Sequence, residues 1–151
     1  MSDELLGFGT EVVDEAFSVE EPQRSYGNNR KSNNDFATEL KQRTKAAAIR
    51  LINYMDKAGK GPSLSSIRYQ VIRSGTSVGA NYRAACRARS KKEWYAKMCI
   101  VVEECDETVY WLELLRDSDI QVDPTVICSI GQDYQFLLQI FAKARANAKI
   151  S

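Results

Sequence analysis

Between Arg68 and Lys97 the chain carries eight basic residues, Arg68, Arg73, Arg83, Arg87, Arg89, Lys91, Lys92 and Lys97, against one acid, Glu93. Bases at that density, with hardly a carboxylate among them, suit one chemistry: they neutralise phosphates and hold a nucleic-acid backbone by charge, without reading bases. At about 100° per residue, Arg73, Arg83 and Arg87 fall within roughly an 80° sector of one helix, and Arg89, Lys91 and Lys92 gather at the turn beyond it. The candidate nucleic-acid-binding residues are therefore Arg73, Arg83, Arg87, Arg89, Lys91 and Lys92. The competing reading is a solvated helix face, balanced in space by Glu103, Glu104, Asp106 and Glu107.

Other chemistries have less to stand on. The chain has no histidine, which removes Ser-His-Asp and Cys-His nucleophiles, histidine-ligated zinc and histidine acid–base work together. Glu103 and Glu107 share a helix face at i, i+4, but carboxylate bundles that hold two metals also use Glu-x-x-His, so salt bridges to arginines of the preceding helix or of a neighbouring subunit are the better reading. Cys86, Cys99, Cys105 and Cys128 show no CxxC or zinc-knuckle spacing and read as reduced core thiols. Gly75 and Gly79 belong to no phosphate loop or dinucleotide fingerprint, since neither a preceding strand nor a Lys-Ser/Thr pair accompanies them. No catalytic residue, metal site or cofactor is expected, and the chain reads as a non-enzyme.

The elements that must position these residues follow from periodicity. With 151 residues, 44% hydrophobic and 27% charged, the chain suits one compact domain. Its formal charge is only +1, so an electrostatic function needs local segregation. Residues 1–34 hold seven acids and three bases with no sustained apolar period, and read as a flexible, disordered leader, acidic and then polar. Residues 35–151 then carry a net charge of +5. No apolar run approaches a membrane span and no signal peptide pattern is present, so a cytoplasmic location with no membrane partner is expected.

From Asp35 onward the apolar spacing is three and four residues, which predicts an all-α, up-down-up-down four-helix bundle. The first helix runs over about 35–57, with Phe36, Leu40, Ala47, Leu51 and Met55 inward, and Gly59 and Gly61 close it. The second spans about 64–88, with Leu64, Ile67, Val71, Val78, Tyr82 and Ala85 inward; Gly75 and Gly79 predict a close helix–helix approach. Ser90 and Glu93 predict a capping box for a third helix reaching about Leu115, with Trp94, Met98, Val101, Cys105, Val109 and Leu112 inward. A second apolar strip on that helix, Cys99, Ile100, Tyr110, Trp111 and Leu114, predicts an interface between copies of the chain. Asp123-Pro124 starts the fourth helix, with Val126, Ile130, Leu137, Phe141 and Ala144 aligned.

The segment from Gln70 to Trp94, QVIRSGTSVGANYRAACRARSKKEW, resembles the signature of the bacterial four-helix-bundle family encoded by intervening sequences of 23S ribosomal RNA genes. Gln70, Arg73, Ser77, Val78, Ala80, Asn81, Arg89, Ser90, Glu93 and Trp94 occupy the signature places, and Tyr110–Leu115 is similar to the end of the family's third helix. Ile72 stands at a usually basic position and Gly79 where many relatives have proline. The resemblance implies a bundle assembled into a ring, typically a homopentamer, without catalytic residues. Related bundles are the accessory variability proteins of diversity-generating retroelements, whose basic pentamer binds nucleic acid and a reverse transcriptase. The expected partners are therefore further copies of the chain, RNA or DNA, and a protein such as a reverse transcriptase. The rival function is a protein-interaction scaffold that binds no nucleic acid.

Overall fold

The computed structural model describes residues 32–148, which form four helices: α1 (Asn33–Lys57), α2 (Pro62–Cys86), α3 (Lys91–Asp117) and α4 (Pro124–Asn147). Among the described residues there is no strand. The expected leader over residues 1–34 lies outside the described residues except for Ser32, which caps α1, and Asn33 and Asn34, which begin it. Ser32 caps that helix: its hydroxyl accepts from the Asp35 amide at 3.2 Å and the Asp35 carboxylate accepts from the Ser32 amide at 3.1 Å, a reciprocal box that satisfies two amides.

Each turn has a local cause. Gly61, at φ 152°, takes a conformation that side-chain-bearing residues rarely adopt, and Pro62 at the first helical position loses no useful amide. The guanidinium of Arg68 donates to the carbonyls of Ala58 and Gly59 at 3.1 and 2.7 Å, closing the C-terminal end of α1. Asp123 caps α4 by accepting from the amides of Thr125 and Val126. Its own amide donates to the Tyr54 hydroxyl at 2.7 Å, which ties the end of α1 to the start of α4.

Contacts fix the topology. Leu51 lies beside Gly75 and Thr44 beside Gly79, so α1 and α2 run antiparallel. The Tyr134 hydroxyl donates to the Gly75 carbonyl at 3.1 Å, and seven residues later in both helices Tyr82 packs on Phe141 with ring centroids 4.8 Å apart; α2 and α4 are therefore parallel across the diagonal. The bundle is up-down-up-down, and the seam between α1 and α4 is the thinnest.

The core is built from Leu51, Met55, Val71, Val78, Met98, Leu112, Ile130 and Phe141 and their neighbours. Several positions correct the expected core. Phe36 is 48% exposed, because it stands in the first turn of α1, one turn ahead of Leu40, where burial begins. Of the four free cysteines only Cys105 is buried; Cys99 and Cys128 are half-buried, and Cys86, the last residue of α2, is exposed. Burial pushes the Cys105 thiol up. Ile67, Trp94, Val126 and Ala144 are only partly buried and pack against the core from its edge.

Both helix-interior glycines mark close approach. A Cβ on Gly75 would sit 2.5 Å from Leu51 Cδ2 and 2.8 Å from the Tyr134 hydroxyl. One on Gly79 would sit 3.1 Å from Thr44 Oγ1. The glycine spacing predicts the approach, and of the partners Leu51 stands in an expected stripe whereas Tyr134 and Thr44 do not.

Candidate nucleic-acid interface

The sector that Arg73, Arg83 and Arg87 share on α2 is divided by the neighbours of that helix. Arg73 turns toward α3, where its guanidinium meets Glu107 at 2.5 Å and Glu104 at 3.8 Å. The hydrogen bond and charge of Glu107 raise the Arg73 pKa above its ordinary value. Glu107 also accepts from the Trp111 indole at 3.1 Å, so one carboxylate fixes two side chains. Arg73 therefore leaves the expected phosphate cluster, and the acids read as its balance do bind it, although only Glu104 and Glu107 do so. Glu104 is drawn two ways: burial raises its carboxyl pKa, and Arg73 opposes that. Arg68 is likewise engaged, in closing α1.

The remaining bases surround the turn between α2 and α3. Ser90 caps α3, its hydroxyl accepting from the Glu93 amide at 3.1 Å. The other half of the expected capping box is displaced by one residue: the Glu93 carboxylate accepts from the Arg89 amide at 2.9 Å. That bond, with the Arg89 charge 3.6 Å away, holds the Glu93 carboxyl below its usual range. The Arg89 side chain is 91% exposed, so this pair is screened and weak. Arg83, Arg87, Lys91 and Lys92 are exposed.

Beside this turn lies an open hollow of about 700 Å³, lined by Arg89, Ser90, Lys91, Trp94 and the end of α4 at Asn147 and Ala148. Bases next to a half-buried indole suit a nucleic-acid strand: cations meet phosphates, and an aromatic ring accepts a stacked base. Trp94, read in the sequence as core, also lines this hollow. On the other flank of α2, Arg83 borders a groove with Lys41 and Lys45 of α1, two bases that the linear count around Arg68–Lys97 omitted. Their i, i+4 spacing on α1 was the available signal.

The second strip of α3 is divided in the isolated chain. Tyr110 and Ile100 are 52% and 36% exposed, whereas Cys99, Trp111 and Leu114 are half-buried, with Trp111 packed against the core of its own chain. The Tyr110 and Trp111 rings lie 5.1 Å apart. Among the described residues no group of three or more Cys, Asp or Glu could hold a metal ion, and no helix is long and apolar enough to cross a membrane.

Residues 38–126 match the family model of the 23S rRNA-intervening sequence protein. A crystal structure from Bacteroides thetaiotaomicron, of a protein of unknown function in the S23 ribosomal protein family, superposes with a TM-score of 0.62 at 28% identity, covering 70% of this chain and 97% of the other. No curated protein matches the chain.

Proposed function

The chain belongs to the 23S rRNA-intervening sequence protein family, and from that premise we propose that it is a non-enzymatic, homo-oligomeric bundle that binds RNA or DNA through phosphates without reading sequence. The observation that carries this is the division of the bases. Arg68 and Arg73 are consumed by a carbonyl pair and an acid pair, while Arg83, Arg87, Lys91 and Lys92 remain exposed around one turn beside Trp94. Oligomerisation rests on Tyr110 and Ile100, which leave an apolar strip of α3 in contact with water. We take the assembly to be a pentamer, as the family resemblance implies, which would multiply a modest patch around a ring. On this reading the protein is cytoplasmic and serves an RNA- or reverse-transcriptase-containing complex.

The test replaces Arg83, Arg87, Lys91 and Lys92 together with glutamine and titrates a labelled oligonucleotide at several salt concentrations. The parent's affinity should fall by roughly 0.7–0.9 log units per log unit of salt for each phosphate contacted, and the variant should bind more weakly with a flatter slope. Helical signal and mass should not change. A parent that binds no strand at low salt overturns the proposal in favour of a protein scaffold. Assembly is tested by light scattering, where a mass of 17.0 kDa, that of one chain, would overturn it. Tyr110→Glu is the cleaner interface variant than Trp111→Glu, because Trp111 also packs its own core.

A further inference from the structure

The two flanks of α1 differ in charge. Toward α4, Arg43 pairs with Glu39 at 2.9 Å and lies over the Phe136 ring, and Arg50 pairs with Asp133 at 2.6 Å and donates to the Ser129 hydroxyl. Toward α2 runs a groove of about 370 Å³ whose cations are Lys41, Lys45 and Arg83. Among the described residues no carboxylate lines it. Apart from these cations its lining is of small residues, Thr44, Ala48, Thr76, Gly79 and Ala80, and at Gly79 the absent side chain leaves the space that brings Thr44 close. Three like charges around one hollow repel one another unless an anion enters.

We infer that the groove between α1 and α2 is a phosphate-binding site that receives the sugar–phosphate backbone of the strand held at the α2–α3 turn; the class of ligand rests on the function proposed above. Lys41 and Lys45 stand one helical turn apart, about 6 Å along the axis, and Arg83 faces them from α2. Arg83 offers a planar fork to two phosphate oxygens, and the lysines offer compact charges. Arg87, one turn beyond Arg83 toward the Lys91 end, continues the basic track from the groove to the turn. The small lining lets a backbone sink between the helices, which a solvated face of long side chains would not permit.

The test uses the full chain in two variants that spare the turn, Lys41→Gln with Lys45→Gln, and Ala80→Glu, which places a carboxylate in the groove without removing a cation. With a labelled single-stranded oligonucleotide at low salt, the double variant should bind about tenfold more weakly and its salt slope should fall by roughly 1.4, the value for two phosphate contacts on a single strand. Ala80→Glu should weaken binding similarly, and Arg43→Gln on the opposite flank should not. Melting temperatures near the parent's verify that each variant folds. If both groove variants keep the parent's affinity while a turn variant that spares Arg83, with Arg87, Lys91 and Lys92 replaced by glutamine, loses it, the groove inference falls and the proposed function stands. If the parent binds no strand, the proposed function falls and inorganic pyrophosphate decides the groove. A melting-temperature rise in the parent, absent in Ala80→Glu, then assigns the groove to a small phosphate ligand, and no rise in either overturns the site.

Discussion

Along the seam between α2 and α3, Arg73 meets Glu107 at 2.5 Å and Glu104 at 3.8 Å, whereas along the seam between α1 and α2, Arg83 shares its groove with Lys41 and Lys45 and, among the described residues, with no acid. Both arginines come from one face of one helix, ten residues apart. The difference teaches that a basic sector is not a unit of function. A guanidinium beside a carboxylate stabilises a helix pair modestly and no longer attracts an anion; the same group beside two lysines adds nothing to stability and is left for a ligand.

The side of α2 that faces α1 breaks first, at its two glycines, whose nearest neighbours lie on α1 and α4 rather than on α3. Gly75→Leu should be the most damaging change, lowering stability by about 3 kcal/mol in denaturant unfolding, because Leu51 and the buried Tyr134 leave its Cβ no room. Gly79→Leu should cost less, about 1–3 kcal/mol, with Thr44 as its obstacle. A Gly79→Leu variant as stable as the parent would show that the groove is wider than the Thr44 contact implies.

The electrostatic difference is sharpened by exchanging the states of the two seams. Glu107→Ala should lower stability by about 1 kcal/mol, since it leaves Arg73 with only the more distant Glu104 and the Trp111 indole without its acceptor. It should also raise affinity for a nucleic-acid strand at low salt by removing the nearer of the two carboxylates that hold Arg73. Arg83→Gln should change stability by less than about 0.5 kcal/mol and weaken strand binding. Equal losses of stability at the two positions would erase the distinction.

The smallest effect expected is pH-dependent and lies outside both seams. Burial raises the Glu113 carboxyl pKa, with Arg116 opposing, and its Oε1 is buried with no hydrogen-bond partner. A raised acid pKa means that ionisation opposes folding above the folded-state pKa and ceases to do so below the unfolded value of about 4.3. Glu113→Gln should therefore raise the melting temperature at pH 7 by a degree or two, roughly, and the gain should vanish as the pH falls through the carboxylate range. A gain that persists in acid would assign the effect to packing instead.

Much of the fold was legible in the sequence. The three- and four-residue apolar spacing, the Ser90 and Asp123 caps and the Gly61-Pro62 turn each report a local preference, and local preferences act over one or two helical turns, which is the range a sequence displays directly. Phe36 and Cys86 were misplaced because a stripe continues to the end of a helix while the packing over it does not. Tyr134 could have been found, as it stands between Ile130 and Leu137 on one face of α4, yet the acceptor of its hydroxyl, the Gly75 carbonyl, belongs to a diagonal helix.

The sequence by itself determined how many helices form, where they begin and end to within about two residues, most of the dry stripe of each, and that the middle of the chain is basic. Which bases remain available was decided only by the tertiary structure. Charge neutralisation depends on separations of a few ångströms between helices that are distant in sequence, and no spacing along α2 shows that Arg73 leans to the acids of α3 while Arg83 leans to the lysines of α1. Helical periodicity specifies an angle about one axis; the neighbours on either side of that axis set the charge state of each side chain.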